Sequence, residues 1–179
     1  MHALIVYESM YGNTHLIADA IADGLRPVVD VDVTSVAEAT SAAVAGADVV
    51  VVGGPTHAHG MSRAATREGA ITAAAKNDSG LVLDADPDAY GAGLRDWFDT
   101  LGELPKPAAA FDTRMDLPAA ITGRASKGIA RRLRRHGATL LLEPESFFVT
   151  KQNRLEADEE AHARRWGANL AVALARANA

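Results

Sequence analysis

Three short segments hold residue types that can do chemistry. The first is Ser9-Met10-Tyr11-Gly12-Asn13-Thr14. It lies between a run of branched apolar residues and a stretch with helical spacing, so it reads as a strand-to-helix turn. Such a turn offers unpaired backbone N–H groups and the positive end of a helix dipole to an anion. Ser9, Asn13 and Thr14 add side-chain donors, and Gly12 permits close approach to the backbone. A phosphate suits this arrangement. The loop lacks the lysine of G-x-x-x-x-G-K-[ST] and the pattern G-x-G-x-x-G, which argues against a nucleoside-triphosphatase loop and against a dinucleotide pyrophosphate. An ordinary turn capped by Ser, Asn or Thr is the plainer reading of the same residues.

The second segment is Gly53-Gly54-Pro55-Thr56-His57-Ala58-His59-Gly60-Met61, and the third is Phe111-Asp112-Thr113-Arg114-Met115-Asp116. His57 and His59 stand two apart in a Gly-rich loop with no third ligand nearby, so a metal site is not expected. Arg114 either faces a ligand or pairs with Asp112 or Asp116 on the surface. A fourth feature is the basic run Arg124, Lys127, Arg131, Arg132, Arg134, Arg135 and His136, read as a solvated helix face that can also meet an acidic partner or a nicotinamide 2′-phosphate. Ser-His-Asp and paired-carboxylate constellations are not evident, so side-chain acid, base or nucleophile chemistry has no support.

Composition narrows the classes. The 179 residues carry 18 Lys and Arg against 23 Asp and Glu, a net charge of −5, which disfavours nucleic acid and acidic membranes as partners. Cysteine is absent, which removes disulfides, thiolate metal sites and cysteine nucleophiles. Any redox chemistry then belongs to a bound cofactor. The apolar run from Ala47 to Val52 is far shorter than the roughly 20 residues of a membrane span. The start Met1-His2-Ala3-Leu4 lacks the features of a secretory signal, so a cytoplasmic location is expected.

Strand and helix patterns alternate about five times through a single domain over 1–179. Strands are expected at Ala3–Tyr7, Val28–Val33 on an edge, Asp48–Val52, Ala108–Thr113 and Thr139–Leu142, the last continuing at Ser146–Thr150 after a break at Pro144. Helices are expected after Asn13, at Val36–Val44, at Ser62–Lys76 with Ser62 as N-cap, around Leu94–Leu101, at Gly123–His136 and at Asp158–Ala177. Trp97, Phe98 and Trp166 fall at core spacing. Asn77–Gly93 reads as an irregular excursion. The pattern predicts a parallel α/β sheet with helices on both faces, and ligands in such sheets sit beyond the strand carboxyl ends. All three loops belong to that rim.

The segment Val6 to Thr14 resembles the FMN phosphate loop of the flavodoxin family, in which a hydroxyl, any residue, a hydroxyl, Gly, any residue and Thr follow one another. Ser9, Gly12 and Thr14 match that pattern; Tyr11 departs from it by placing a phenol where a small hydroxyl is usual. Met-Tyr-Gly loops of this kind are similar to those in the flavodoxin modules of flavodiiron proteins and in flavodoxin-like oxidases. The resemblance implies a doubly wound five-stranded sheet of order 2-1-3-4-5 and one noncovalent FMN. It places the flavin ring at the second loop, with Pro55 stiffening the entry, the amides of Thr56, His57 and Ala58 meeting the ring carbonyls, and His57 as a ring neighbour. The His59-Gly60 peptide is expected to flip cheaply and so to tune the redox states. Asp112, Thr113 and Arg114 complete the set, with Arg114 favouring negative charge on the reduced ring. The aromatic residue that usually stacks on the ring is missing from Asp112–Gly123, and Tyr90 is a replacement whose direction the sequence leaves open.

Two functions follow from the resemblance. In one, the chain is a small electron carrier that shuttles electrons between redox partner proteins. In the other, it is an FMN-dependent NAD(P)H/quinone or protoporphyrinogen type oxidoreductase serving a small quinone-like acceptor. Arg114, the open ring face and the basic helix favour the second; the short chain and the match to a lone flavodoxin domain favour the first, toward which the reading leans. A third class, a flavin-free binding module, shares the fold. A receiver domain would need an acidic pair after strand one, where only Glu8 stands, and a better lysine site than Thr150-Lys151.

Overall fold

The computed structural model describes residues 1–76, 78–84 and 91–177. Tyr90 and part of the 77–93 excursion lie outside the described residues.

The branched runs form a parallel sheet. Strand β1 (His2–Tyr7) pairs on one side with β2 (Asp30–Ser35) and on the other with β3 (Val49–His57); β3 pairs in turn with β5 (Pro107–Met115). The last position is shared by two short strands, β6 (Thr139–Leu140) and β7 (Glu145–Val149), which pair with successive parts of β5. This is the expected 2-1-3-4-5 order, with the fifth strand interrupted at 141–144 where Pro144 cannot donate to the ladder. Strand β2 exposes Asp30 and Asp32 while half-burying Val31 and Val33, as an edge strand does.

Helices cover both faces. On one, α1 (Asn13–Leu25) and α7 (Glu159–Ala177) bury Ile17, Ile21 and Leu170 against Ile5, Phe111 and Phe147. On the other, α2 (Ser41–Gly46), α4 (Leu94–Thr100) and α6 (Ala125–Arg135) cover Leu4, Val6, Val50 and Val52, with Phe98, Ile129 and Leu133 in the layer. Trp97, Phe98 and Trp166 are core residues, and the indole N–H of Trp97 donates to the carbonyl of Ala39 at 3.1 Å. Helix α1 meets α7 at a glycine pair: a Cβ on Gly24 would lie 2.2 Å from the Arg164 carbonyl oxygen, and one on Gly167 2.3 Å from that of Ile21.

Four local expectations are corrected. The short helix near Val36–Val44 begins later, at Ser41, because Thr40 caps it by accepting from the Ala43 N–H at 3.1 Å. Helix α3 (Ala64–Ala74) is not capped by Ser62, whose hydroxyl donates instead to the buried carboxylate of Glu8; the Thr66 side chain closes the first turn back onto Arg63. The helix expected at Gly123–His136 is α6, which begins two residues later at Ala125, and a short helix that was not expected, α5 (Ala119–Thr122), precedes it across Gly123 at φ 73°. The second loop is an extension of β3 through His57 that folds back as β4 (Gly60–Met61), pairing antiparallel with Thr56 and His57. Among the described residues, no helix is long and apolar enough to cross a membrane.

Candidate functional site

The carboxyl ends of β1, β3 and β5 bring the three loops together. Gly12 stands at φ 85° as the residue before α1, and the Oγ of Ser9 accepts its N–H at 3.0 Å, which closes the turn. The first helical bond is Leu16 N–H to the Gly12 carbonyl. Among the described residues no side chain caps α1 and no acceptor meets the amides of Asn13, Thr14 and His15, so the positive end of a 13-residue helix is left open.

Loop-to-loop bonds hold this turn. Thr14 Oγ1 lies 2.8 Å from Thr113 Oγ1, and Asn13 donates from Nδ2 to the Asn153 carbonyl at 3.0 Å. Met10 packs away from solvent beside Ala70, Ile71 and Leu83. The Tyr11 phenol turns out of the hollow and donates to the Ala70 carbonyl at 2.9 Å, and burial raises its pKa. It therefore does not block the loop. Asp84 brings a carboxylate alongside, 3.7 Å from Nδ1 of His15, whose ring stacks on Tyr7.

A groove of about 210 Å³ runs from Ser9 and Asn13 past Pro55, Thr56 and His57 to Thr113 and Arg114. It continues into a recess of about 250 Å³, with which it shares Thr56, Arg114 and Met115. The far end is apolar, walled by Met115, Leu117 and Ile121; Met115 is 40% and Ile121 59% exposed. One polar end at an open helix N-terminus and one apolar end thus lie in one depression. The groove collects most of the expected residues, and adds Met115, Val149, Asn153, Leu117 and Ile121, which the sequence reading missed. Local sequence held no signal for Val149 or Asn153, which arrive from the β7 edge.

Asp112 is fully buried beneath the groove instead of lining it. Its Oδ2 accepts from Thr56 Oγ1 at 3.0 Å and from the Ser126 N–H at 2.8 Å, while Thr56 Oγ1 accepts from the Ala125 N–H at 2.8 Å. Asp112 thus fixes Thr56 and the start of α6, and a surface pair with Arg114 is ruled out by this geometry. Arg114 stays at the groove: Nη1 donates to the Leu117 carbonyl at 2.7 Å and to Thr122 Oγ1 at 3.1 Å, and the guanidinium lies 4.7 Å over the Phe148 ring. Its Nε is buried with no acceptor among the described residues.

The second loop carries the backbone strain. Ala58 and His59 have φ of 43° and 75°, a two-residue hairpin turn in which L side chains are disfavoured. Gly60 sits in β4 opposite His57, outside the left-handed region, so the strained backbone precedes the glycine expected to ease a flip. The turn is held by a bridge from His59 to Gly123, where a Cβ would lie 2.1 Å from the His59 oxygen. His57 is half-buried and its pKa falls below the ordinary 6.5, chiefly because burial penalises the cation; Glu8 and a backbone hydrogen bond at Thr66 oppose this, and Arg67 adds to it. His59 is exposed and, with Ala58 and Gly60, borders the outer side of the turn.

A family model described as a flavodoxin domain matches residues 4–67, the part that contains the first two loops. Solved structures match over nearly the whole chain. A flavodoxin from the domain Archaea is 21% identical over 98% of this chain and 99% of its own, with a TM-score of 0.65. Flavodoxin 1 from Bacillus cereus is 21% identical over 95% and 97%, at 0.63. The flavodiiron protein from Giardia intestinalis is 20% identical over 98% of this chain and 36% of its own, at 0.61. A search of curated proteins finds no match. The expected resemblance to flavodoxins is borne out by the domain match and by the fold.

Proposed function

We propose that residues 1–179 form one flavodoxin-like domain that binds FMN noncovalently and acts as a cytoplasmic electron carrier between redox partner proteins. The observation that carries this reading is the open N-terminus of α1 at one end of a groove whose other end is apolar. The donor set fits the nucleotide. Amides of Asn13 to His15 and the Thr14 hydroxyl would hold its phosphate, with Ser9 and Gly12 shaping the turn. Thr56, His57 and Ala58 would meet the ring's polar edge. The orphaned Nε of Arg114 would find an acceptor there, and neutral His57 adds no charge.

Bound FMN supplies the redox chemistry; the chain's own residues bind, orient and insulate it. Met115 and Ile121 would shield a ring face in place of the missing aromatic, and a ring there would cover apolar surface that is now exposed. An aliphatic wall covers a flat ring less completely than a stacked aromatic would, and the lack of that aromatic favours the second reading, in which a small quinone-like acceptor reaches the site.

Titration of the purified protein with FMN, followed by flavin fluorescence and thermal shift, tests the proposal. Absence of both changes would leave a flavin-free binding module and end both redox readings. If FMN binds, anaerobic stepwise reduction separates them: uptake of electrons one at a time supports the carrier, whereas uptake only in pairs, with turnover of a quinone, supports the enzyme.

A further inference from the structure

Helix α6 presents two faces. Ala125, Ile129 and Leu133 are buried, and the opposite side carries Lys127, Arg131 and Arg135. A stripe of that spacing ordinarily faces water. Here it forms one wall of a cavity of about 510 Å³ between α6, the β4 hairpin strand and α4, with Arg95 reaching in from α4 and Arg124 from the head of α6. Gly128 leaves the floor open above Met61.

Six cations line this recess, Arg95, Arg124, Lys127, Arg131, Arg132 and Arg135, and no carboxylate does. Among the described residues none of the six forms an ion pair, in a chain whose net charge is −5. Two are held in place by uncharged acceptors. Arg95 donates from Nε to the Ser62 carbonyl at 2.8 Å and from Nη2 to that of Met61 at 3.1 Å, and Arg124 donates from Nε to Ser146 Oγ at 3.1 Å. Burial lowers the pKa of Arg132, and so do Arg95, Arg135 and Arg131, with Asp99 opposing. Six like charges gathered round one recess, with Asp99 the one carboxylate that acts on Arg132 and none in the lining, are a standing electrostatic cost, which a bound polyanion lowers.

We infer that this recess is a binding site for a small molecule carrying two or more linked phosphate groups. The recess is concave and sets Arg95 of α4 against five cations of α6 and its head, which suits a compact polyanion better than an acidic protein surface, and guanidinium forks match phosphate oxygens in pairs. His59 borders both this recess and the apolar end of the groove, so the two sites flank the same strained turn. The inference stands without the flavin reading.

Calorimetric titration of the flavin-free protein with inorganic tripolyphosphate at about 0.1 M salt tests it, with ADP as the nucleotide arm and sulfate and a Glu-rich peptide as controls. Tripolyphosphate is expected to bind more tightly than sulfate and to weaken steeply with added salt. Lys127 and Arg131 are exposed, so the double variant K127A/R131A should fold and lose about tenfold or more in affinity while FMN affinity stays unchanged. Gly128→Leu keeps every cation but fills the floor, and should weaken binding as well. Tighter binding of ADP than of tripolyphosphate would make the ligand a nucleotide; the reverse would make it a free polyphosphate, and either supports the site. No tripolyphosphate binding, affinity indifferent to both variants, sulfate binding as tightly, or binding of the peptide alone would overturn it.

Discussion

At the residue scale, the site is governed by a few polar atoms placed where water is scarce. The Thr14 hydroxyl is paired with that of Thr113, so one of the two keeps a proton for an outside acceptor. Thr14→Ala should weaken FMN binding by about 1 to 3 kcal/mol, the usual worth of a hydrogen bond to a charged group, and flavin fluorescence titration reads it. Asp84 acts in the opposite direction. Its carboxylate lies near Gly12 and His15, with Oδ2 buried and without a hydrogen bond among the described residues. Removing that charge in Asp84→Asn should tighten FMN by about 1 kcal/mol, a plausible Coulomb term at high effective dielectric, and the gain should shrink in salt.

His57 makes stability depend on pH. Its folded pKa lies below 6.5, so as pH falls through 6.5 the unfolded chain takes up a proton that the folded chain resists. Stability is therefore lost on acidification below that value and levels off once His57 itself is protonated. Urea denaturation of wild type and His57→Gln between pH 5 and about 8 should show the variant losing less on the acid side. An identical slope in both proteins would contradict this. Glu8 is a second buried charge nearby, bonded to the Ser62 hydroxyl and, at 2.8 Å, to the Leu94 N–H, while Arg67 bridges Ser62 to Asp96. That cluster ties the first loop to α3 and α4. A Cβ on Gly93 would fall 2.2 Å from Arg67 Nη1, so a side chain there would push the guanidinium out of this cluster.

At the element scale, position is set by close contact between pieces far apart in the chain. Glycine to alanine in a helix interior normally gains up to about 1 kcal/mol. At Gly167 the sign should invert, because the new methyl group would meet the backbone of α1. Gly167→Ala is expected to cost about 1 to 3 kcal/mol in chemical denaturation, as overpacking does. The hairpin β3–β4 is a second case. The glycines and Pro55 read 53–61 as a loop, but the β5 ladder extends β3 through Pro55, and pairing of Thr56 and His57 with Met61 and Gly60 turns it back. Asp112 then couples this hairpin to α6 through Thr56. The strand-to-helix alternation and the interrupted fifth strand were legible in the residues; the caps of α2 and α3 were not, since Thr40 and Ser62 are both plausible caps until their partners are known.

At the scale of the whole molecule, two features of opposite character share one rim: a groove with an open helix end and apolar walls, and a cation-lined recess across the His59 turn. FMN at about 100 times its dissociation constant should stabilise the chain by about 2.7 kcal/mol, which for a protein of this size raises the melting midpoint by about 5 to 10 °C. A scan with and without FMN checks this, and an unchanged midpoint counts against the groove as a flavin site.

The residues alone determined the class of sheet, the core aromatics and the strand-to-helix turn at Gly12, because those depend on local periodicity and on a glycine before a helix. Tertiary structure decided the rest. It sank Asp112 below the groove, swung the Tyr11 phenol onto α3 and brought Met115, Val149 and Asn153 to the rim. It also set Arg95 opposite α6 to close a basic recess. Those outcomes depend on which strands neighbour one another and on how closely helices approach, and contacts of that kind join residues too distant in sequence for any local pattern to record.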